Sequence, residues 1–246
     1  NVFGMNTDRA LYHSAQVALR KRMSQGFWAT VNYTYSKNMI YDGASLVNER
    51  HWRAVAASDR PHIFRVFASY EMPFGRKRRF LSAAPGWLNA LAGGWEFAGT
   101  FRLTSGTPLS ITQARGRPVP LKNPTLSGPV RDRLGDRLDP ATGRPSNPFF
   151  DTTAWQVLPN DYVISLEPPR YSWLRGPRGT FTSMTGFKTF SLTERLKFEL
   201  RGEATNLLNH PIFANPALNM DNPATFGSIT NASGTRTINI SGKLRF

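Results

Sequence analysis

The chain contains no cysteine, which excludes a disulfide framework, a Cys-based zinc site and a cysteine nucleophile. It also lacks any run of the roughly 18 or more apolar residues needed for a membrane-spanning helix. No secretion signal opens it, and it begins on Asn1-Val2-Phe3-Gly4 rather than Met. A cytoplasmic protein and a piece of an exported one share those two absences, so they decide no location. No nucleophile elbow, phosphate-binding loop, dinucleotide fingerprint or His-based metalloprotease motif is present. A non-enzymatic role without a cofactor is therefore expected. Charge is scarce and lopsided: 19% of residues are charged, with 31 Lys and Arg against 16 Asp and Glu, a net charge of +15. Such an excess suits a nucleic-acid binder, whose cations neutralise phosphates, and equally a protein facing anionic head groups. The cations here are scattered over turns and loops, as in Arg20-Lys21-Arg22, Arg76-Lys77-Arg78-Arg79, Arg115-Gly116-Arg117 and the stretch from Arg131 to Arg137.

What is abundant is the material of strands and turns. The chain is 40% hydrophobic and 12% aromatic, with 20 Gly and 18 Pro, and β-branched and aromatic side chains pack well on a pleated surface. Alternation with a period of two recurs in about seven segments, each close to the roughly 9–11 residues that a tilted strand needs to cross an outer membrane. The expected strands are Leu11–Arg20, Phe27–Ser36, His62–Met72, Gly94–Thr104, Thr182–Leu192, Leu196–Leu208 and Thr235–Phe246. In the second, Phe27, Ala29, Val31, Tyr33 and Tyr35 alternate with Trp28, Thr30, Asn32, Thr34 and Ser36. In the third, Phe64, Val66, Ala68 and Tyr70 oppose Arg65, Phe67, Ser69 and Glu71; in the fourth, Trp95, Phe97, Gly99, Phe101 and Leu103 oppose Glu96, Ala98, Thr100, Arg102 and Thr104. The fifth alternates weakly and its two faces are not assigned.

The connections alternate short and long: Lys21–Gly26, Lys37–Pro61, Pro73–Gly93, Gly106–Phe181, Thr193–Arg195 and Asn209–Gly234. That is the pattern of short periplasmic turns and long extracellular loops. The middle connection, Pro73–Gly93, is long for a periplasmic turn, and Gly86-Trp87-Leu88-Asn89-Ala90-Leu91 within it predicts a short interfacial helix. The longest loop predicts an extra hairpin around Trp155–Ser165. Aromatics gather at the strand ends, with Phe27, Tyr70, Trp95 and Phe246 at the periplasmic side and Tyr33, Tyr35 and Phe64 at the outer side, as interfacial girdles do.

Several phrases resemble the barrel of TonB-dependent receptors of the Oar-like type. They are Tyr12-His13-Ser14-Ala15-Gln16-Val17, Lys21-Arg22-Met23-Ser24-Gln25-Gly26, Asn32-Tyr33-Thr34-Tyr35-Ser36-Lys37, Asp59-Arg60-Pro61-His62 and Tyr70-Glu71-Met72-Pro73-Phe74-Gly75. Further on stand Gly93-Gly94-Trp95, Ser105-Gly106-Thr107-Pro108, Leu174-Arg175-Gly176-Pro177 and the run from Phe198 to Pro211. The resemblance implies a roughly 22-stranded barrel with an N-terminal plug, driven through the TonB system to take up large or scarce solutes. It implies that residues 1–246 form the C-terminal part of that barrel, with the plug and opening strands upstream of Asn1. The last strand resembles the signal read by the barrel assembly machinery, with Ile240, Leu244 and Phe246 in phase, although Leu244 stands where an aromatic is more usual and Gly242 is displaced by one residue.

The fold class expected is thus all-β: a portion of an antiparallel transmembrane β-barrel, about seven up-and-down strands in an open curved sheet with long extracellular loops, in the bacterial outer membrane. Outer-membrane lipid and the assembly machinery are the expected partners, and nucleic acid is not. Strand parity places Arg65, Glu71, Glu96, Arg102, Arg201 and Glu203 toward the lumen. Alternating signs along Lys197, Glu199, Arg201 and Glu203 predict cross-strand pairing on that wall. Asp132, Asp136 and Asp139 have the close spacing calcium favours, but each has an arginine nearby, so charge pairing is the expected role. The histidines, His13, His51, His62 and His210, lie far apart in sequence, and no metal site is expected. Two other readings compete: a structural or adhesive barrel without active transport, and a soluble basic β-protein that binds nucleic acid or acidic polysaccharide.

Overall fold

A computed structural model describes residues 9–42, 52–76, 78–114, 117–135, 137–157 and 167–246. Seven strands form one antiparallel meander: β1 (Arg9–Ser24), β2 (Phe27–Asp42), β4 (His62–Glu71), β5 (Trp95–Thr104), β8 (Gly179–Ser191), β9 (Lys197–Thr205) and β12 (Thr237–Arg245), hydrogen-bonded in that order. An eighth, β3 (Trp52–Val55), pairs with the outer end of β2. Each strand neighbours the next in sequence, which is up-and-down topology. The sheet is open, with β1 and β12 as its two edges.

All seven expected strands are present. β1 and β2 run longer than a membrane crossing requires, 16 residues each, and β3 pairs with the extended end of β2 where the sequence suggested only loop. The turn between them is the tightest: Gln25 and Gly26 both take positive φ, 54° and 76°, as a two-residue hairpin turn requires if it is to match strand twist. β9 stops at Thr205 rather than Leu208. Asn206 turns left-handed at φ 51°, and its side-chain amide donates to the carbonyls of His210 and Gly234 while its oxygen accepts from the His210 N–H. The Thr-Asn-Leu-Leu-Asn phrase is therefore a capped turn, with polar bonds that a strand would not make. The expected short helix is α1 (Gly86–Ala92).

A buried apolar cluster lies outside the sheet. Leu109, Ile111, Phe150, Ala154, Trp155, Leu174 and Phe226 pack together, drawn from both long outer loops. Backbone bonds stitch those loops: Thr112 N–H donates to Leu218 O, Met220 N–H to Thr112 O and Phe149 N–H to Gly227 O. Short strands β6 (Val119–Pro120) and β7 (Trp155–Gln156) pair with each other, and β10 (Ile212–Phe213) pairs with β11 (Ala232–Ser233). Hence the segment near Trp155 pairs with a strand well upstream, correcting the expected local hairpin; residues 158–166 of that prediction lie outside the described residues. The two loops together make one cap over the outer end of the sheet.

Candidate functional site

Cross-strand partners in an antiparallel sheet point to the same side, so the register fixes which residues share a face. One face carries Val17, Tyr33, Phe64, Leu103, Thr180 and, from the last strands, Phe198 and Leu244. Its rows include Leu19–Val31–Val66–Phe101 and Leu200–Gly242. Ile240 and Leu244, two of the three residues of the assembly signal, lie on this apolar face, and Phe246 follows in phase just beyond β12. Its aromatics meet where the sequence placed girdles: Phe27 against Tyr70 at 6.1 Å and Trp95 against Phe97 at 6.2 Å at one end, His62 between Tyr33 and Tyr35 at the other.

All six charged candidates lie on the opposite, polar face. Arg65 faces Arg102, Glu71 faces Glu96, and Arg201 and Glu203 sit two positions apart on β9. The structure groups them as one cluster on β9 and two separate like-charged pairs across β4 and β5. In the cluster, Arg201 reaches Glu199 at 2.9 Å and Glu203 at 3.5 Å, while Arg245 from β12 reaches Glu199 at 2.7 Å. The Arg245–Glu199 contact is the cross-strand pairing that the alternating signs predicted, whereas the contacts of Arg201 run along β9 itself. In the two pairs, like charges stand opposite one another, an arrangement that costs stability unless each charge is otherwise served. The Glu71 and Glu96 carboxylates are served: Glu71 accepts from Arg78 at 2.8 Å and Glu96 from the Ser69 hydroxyl at 2.8 Å.

Arg65 and Arg102 have no carboxylate within ion-pair distance among the described residues. Arg102 instead lies 5.7 Å over the Phe181 ring, a contact worth about 0.5–1 kcal/mol at an exposed site. With Phe67 and Thr100 these residues line a recess of about 300 Å³ on the polar face. The larger cavity, about 670 Å³, is on the apolar side below the cap, lined by Tyr33, His62, Phe64, Leu103 and Arg175.

The fifth strand explains why its faces could not be read. Phe181 and Phe187 are on its polar face, and arginines Arg102 and Arg201 cover their rings at 5.7 Å each. Gly186 and Lys188 are on its apolar face. Gly186 leaves space that the Phe97 ring fills, so a Cβ there would come within 2.7 Å of that ring. Lys188 is buried, with its ammonium donating to the Ala90 and Asn89 carbonyls at the end of α1. Partners on neighbouring elements thus invert the ordinary hydrophobic pattern at four positions.

A second set of residues was quoted in the sequence only as phrases. Asp59, Arg60, Ser105, Gly106, Arg175 and Gly176 converge at the junction of sheet and cap. Asp59, whose side chain is fully buried, pairs with Arg175 at 2.6 Å, 116 positions away, and accepts from the Asn38 N–H at 2.6 Å. Arg60 donates to the Ser105 carbonyl at 2.9 Å. Gly176 N–H donates to Thr107 O, and a Cβ on Gly106 would fall 1.9 Å from the Gly176 carbonyl oxygen. No side chain can rotate away to relieve that clash. Gly106→Ala is expected to cost about 1–3 kcal/mol, read as faster proteolytic nicking of the cap while the sheet stays protected.

The remaining candidates are dispersed. Asp132 pairs with Arg131 at 3.5 Å, and Asp139 caps its own turn, accepting from Ala141 N–H and the Thr142 hydroxyl, which holds its carboxyl below the usual range. Asp136 and His51 lie outside the described residues. His62 bonds the Tyr33 hydroxyl at 2.8 Å, and His210 takes part in the Asn206 turn.

No curated protein matches the chain. A family model described as outer membrane beta barrel domain matches residues 3–239, nearly the whole length. The soluble reading gives way to it, since an open sheet with one apolar face and free edges fits a membrane barrel and not a water-exposed sandwich. The chain belongs to the outer membrane beta barrel domain family, and its place is the bacterial outer membrane.

Proposed function

We propose that residues 1–246 form the C-terminal barrel segment of a TonB-dependent receptor, with the apolar face against lipid and the polar face lining the lumen. The observation that carries this reading is the consistent sidedness of the sheet: Arg65, Glu71, Glu96, Arg102, Arg201 and Glu203, from three strands, share one face. Charges in such a row are costly against lipid and useful along an aqueous path. The open edges support the barrel's completion by further strands, because lipid leaves no water to satisfy unpaired backbone groups. The unpaired Arg65 and Arg102 give that path a positive stretch suited to anionic groups of a plug or a solute.

The test has two arms. Single cysteines at positions 65 and 66 are clean probes in this cysteine-free chain. A membrane-impermeant thiol reagent should label position 65 and spare 66; the reverse pattern would sink the lumen assignment. Energy coupling is tested genetically. Loss of the protein and loss of the TonB transducer should produce the same growth defects on the same scarce nutrients, with no further defect in the double mutant. Additive defects would favour a barrel that works without that energy source.

A further inference from the structure

The connection between β4 and β5 carries a surface that the lumen reading does not use. Residues 73–76 and 78–80 belong to a tight turn, with Phe80 N–H donating to Pro73 O and Gly75 N–H to Phe80 O. This turn is tied to α1 because the Asn89 side-chain oxygen accepts from Arg76 N–H at 2.8 Å. Helix α1 in turn is held to the apolar face of the sheet. Trp95 Nε1 donates to the Leu91 carbonyl at 2.9 Å, and Lys188 caps the Ala90 carbonyl. Leu88, Asn89 and Ala92 are half-covered, whereas Trp87 and Leu91, one turn apart, are 69% and 68% exposed.

These two side chains are too apolar and too exposed to belong in water together. They continue the apolar face at its periplasmic end, where Phe27, Tyr70 and Trp95 already form a girdle. In the turn bonded to α1, Phe80 is 47% exposed with the Arg79 guanidinium 5.4 Å over its ring. Arg76 reaches the start of α1, its Nη2 about 3.7 Å from where a Gly86 Cβ would stand. Arg78 is already committed to Glu71. Arg76 and Arg79 have no carboxylate within ion-pair distance among the described residues. Apolar side chains at acyl depth with free guanidiniums at head-group depth match an interfacial lipid-binding segment.

We infer that residues 73–76 and 78–92 form a membrane-interface foot that binds anionic phospholipid in the periplasmic leaflet, with Trp87 and Leu91 inserted and Arg76 and Arg79 holding the phosphate. The inference rests on the apolar face being the lipid face. In that geometry the foot explains why this connection is longer than Lys21–Gly26 and Thr193–Arg195, the turns on the same side of the sheet: it occupies the interface in place of a bare turn.

The experiment uses the full-length protein in phosphatidylcholine vesicles with and without phosphatidylglycerol. Co-purified lipid should be enriched in phosphatidylglycerol, and Arg76→Gln with Arg79→Gln should weaken that preference by about fivefold for each arginine removed. Equal enrichment in parent and variant would overturn the phosphate site. Fluorophores on single cysteines at 87 and 91 should be quenched by lipids spin-labelled near the head group, and absence of quenching would overturn insertion. A fluorophore at position 66, mid-strand on the same face, should be quenched only by deep labels. Quenching at 66 without quenching at 87 and 91 leaves the barrel reading intact and defeats the foot. Quenching at 87 and 91 without quenching at 66 would defeat the assignment of faces, and the foot with it.

Discussion

Replacing Arg175 by alanine is expected to destabilise the attachment of the cap to the sheet by about 3–5 kcal/mol, the usual consequence of stranding one member of a buried ion pair. The guanidinium makes more than the 2.6 Å bond to Asp59. It donates to the carbonyls of Ser172, Asp59 and Gly106 at 2.9–3.3 Å, so its loss releases three backbone acceptors along with a charge. Among the described residues Asp59 is left with only the Asn38 N–H, too little to hold an anion that water cannot reach. Asp59→Ala should cost a similar amount for the complementary reason. The double replacement should cost clearly less than the two singles summed, because the second change removes the stranded partner. Hydrogen exchange in the Leu109, Phe150 and Leu174 region, followed with β2 and β4 as internal references, separates cap release from loss of the sheet. Additive costs would mean that the pair is not a coupled strut.

The contrast between strands and cap shows what a sequence of this kind reveals. A strand crossing a membrane has two environments, and they repeat every second residue, so Val31, Tyr33 and Tyr35 declare their side without knowledge of any partner. The same parity put six charged residues on one face. It failed where a partner cancels the pattern: the rings of Phe181 and Phe187 lie under arginines from β5 and β9, and Gly186 lies under Phe97. Nothing local distinguishes those residues from misplaced ones. The cap was illegible for a related reason. Its core joins Leu109 and Phe150 to Phe226 across loops without periodicity, and Asp59 finds Arg175 only after β4, β5 and the short β6 and β7 have been laid between them. Resemblance marked both phrases; only three dimensions show that they touch.

The second large effect discriminates the faces directly. Val66 is near the middle of β4 and lies between Val31 and Phe101 on the apolar face. If that face meets hydrocarbon, Val66→Arg should cost about 2–4 kcal/mol near the bilayer midplane, because the guanidinium must either leave water or drag water inward. Thr185→Arg on the polar face is the matched control. Thr185 stands opposite Glu203, so the new charge gains a carboxylate neighbour and an aqueous lumen, and the change should stay within about 0.5 kcal/mol. Urea-dependent folding of the full-length protein into vesicles measures both. The sign of the difference matters more than its size. A large penalty at 66 with a small one at 185 requires lipid on the apolar side, whereas equal penalties would mean that protein covers both faces. Val31→Arg, next to Val66 in the same row, should repeat the penalty, because the cost belongs to the face and its depth and not to any one strand.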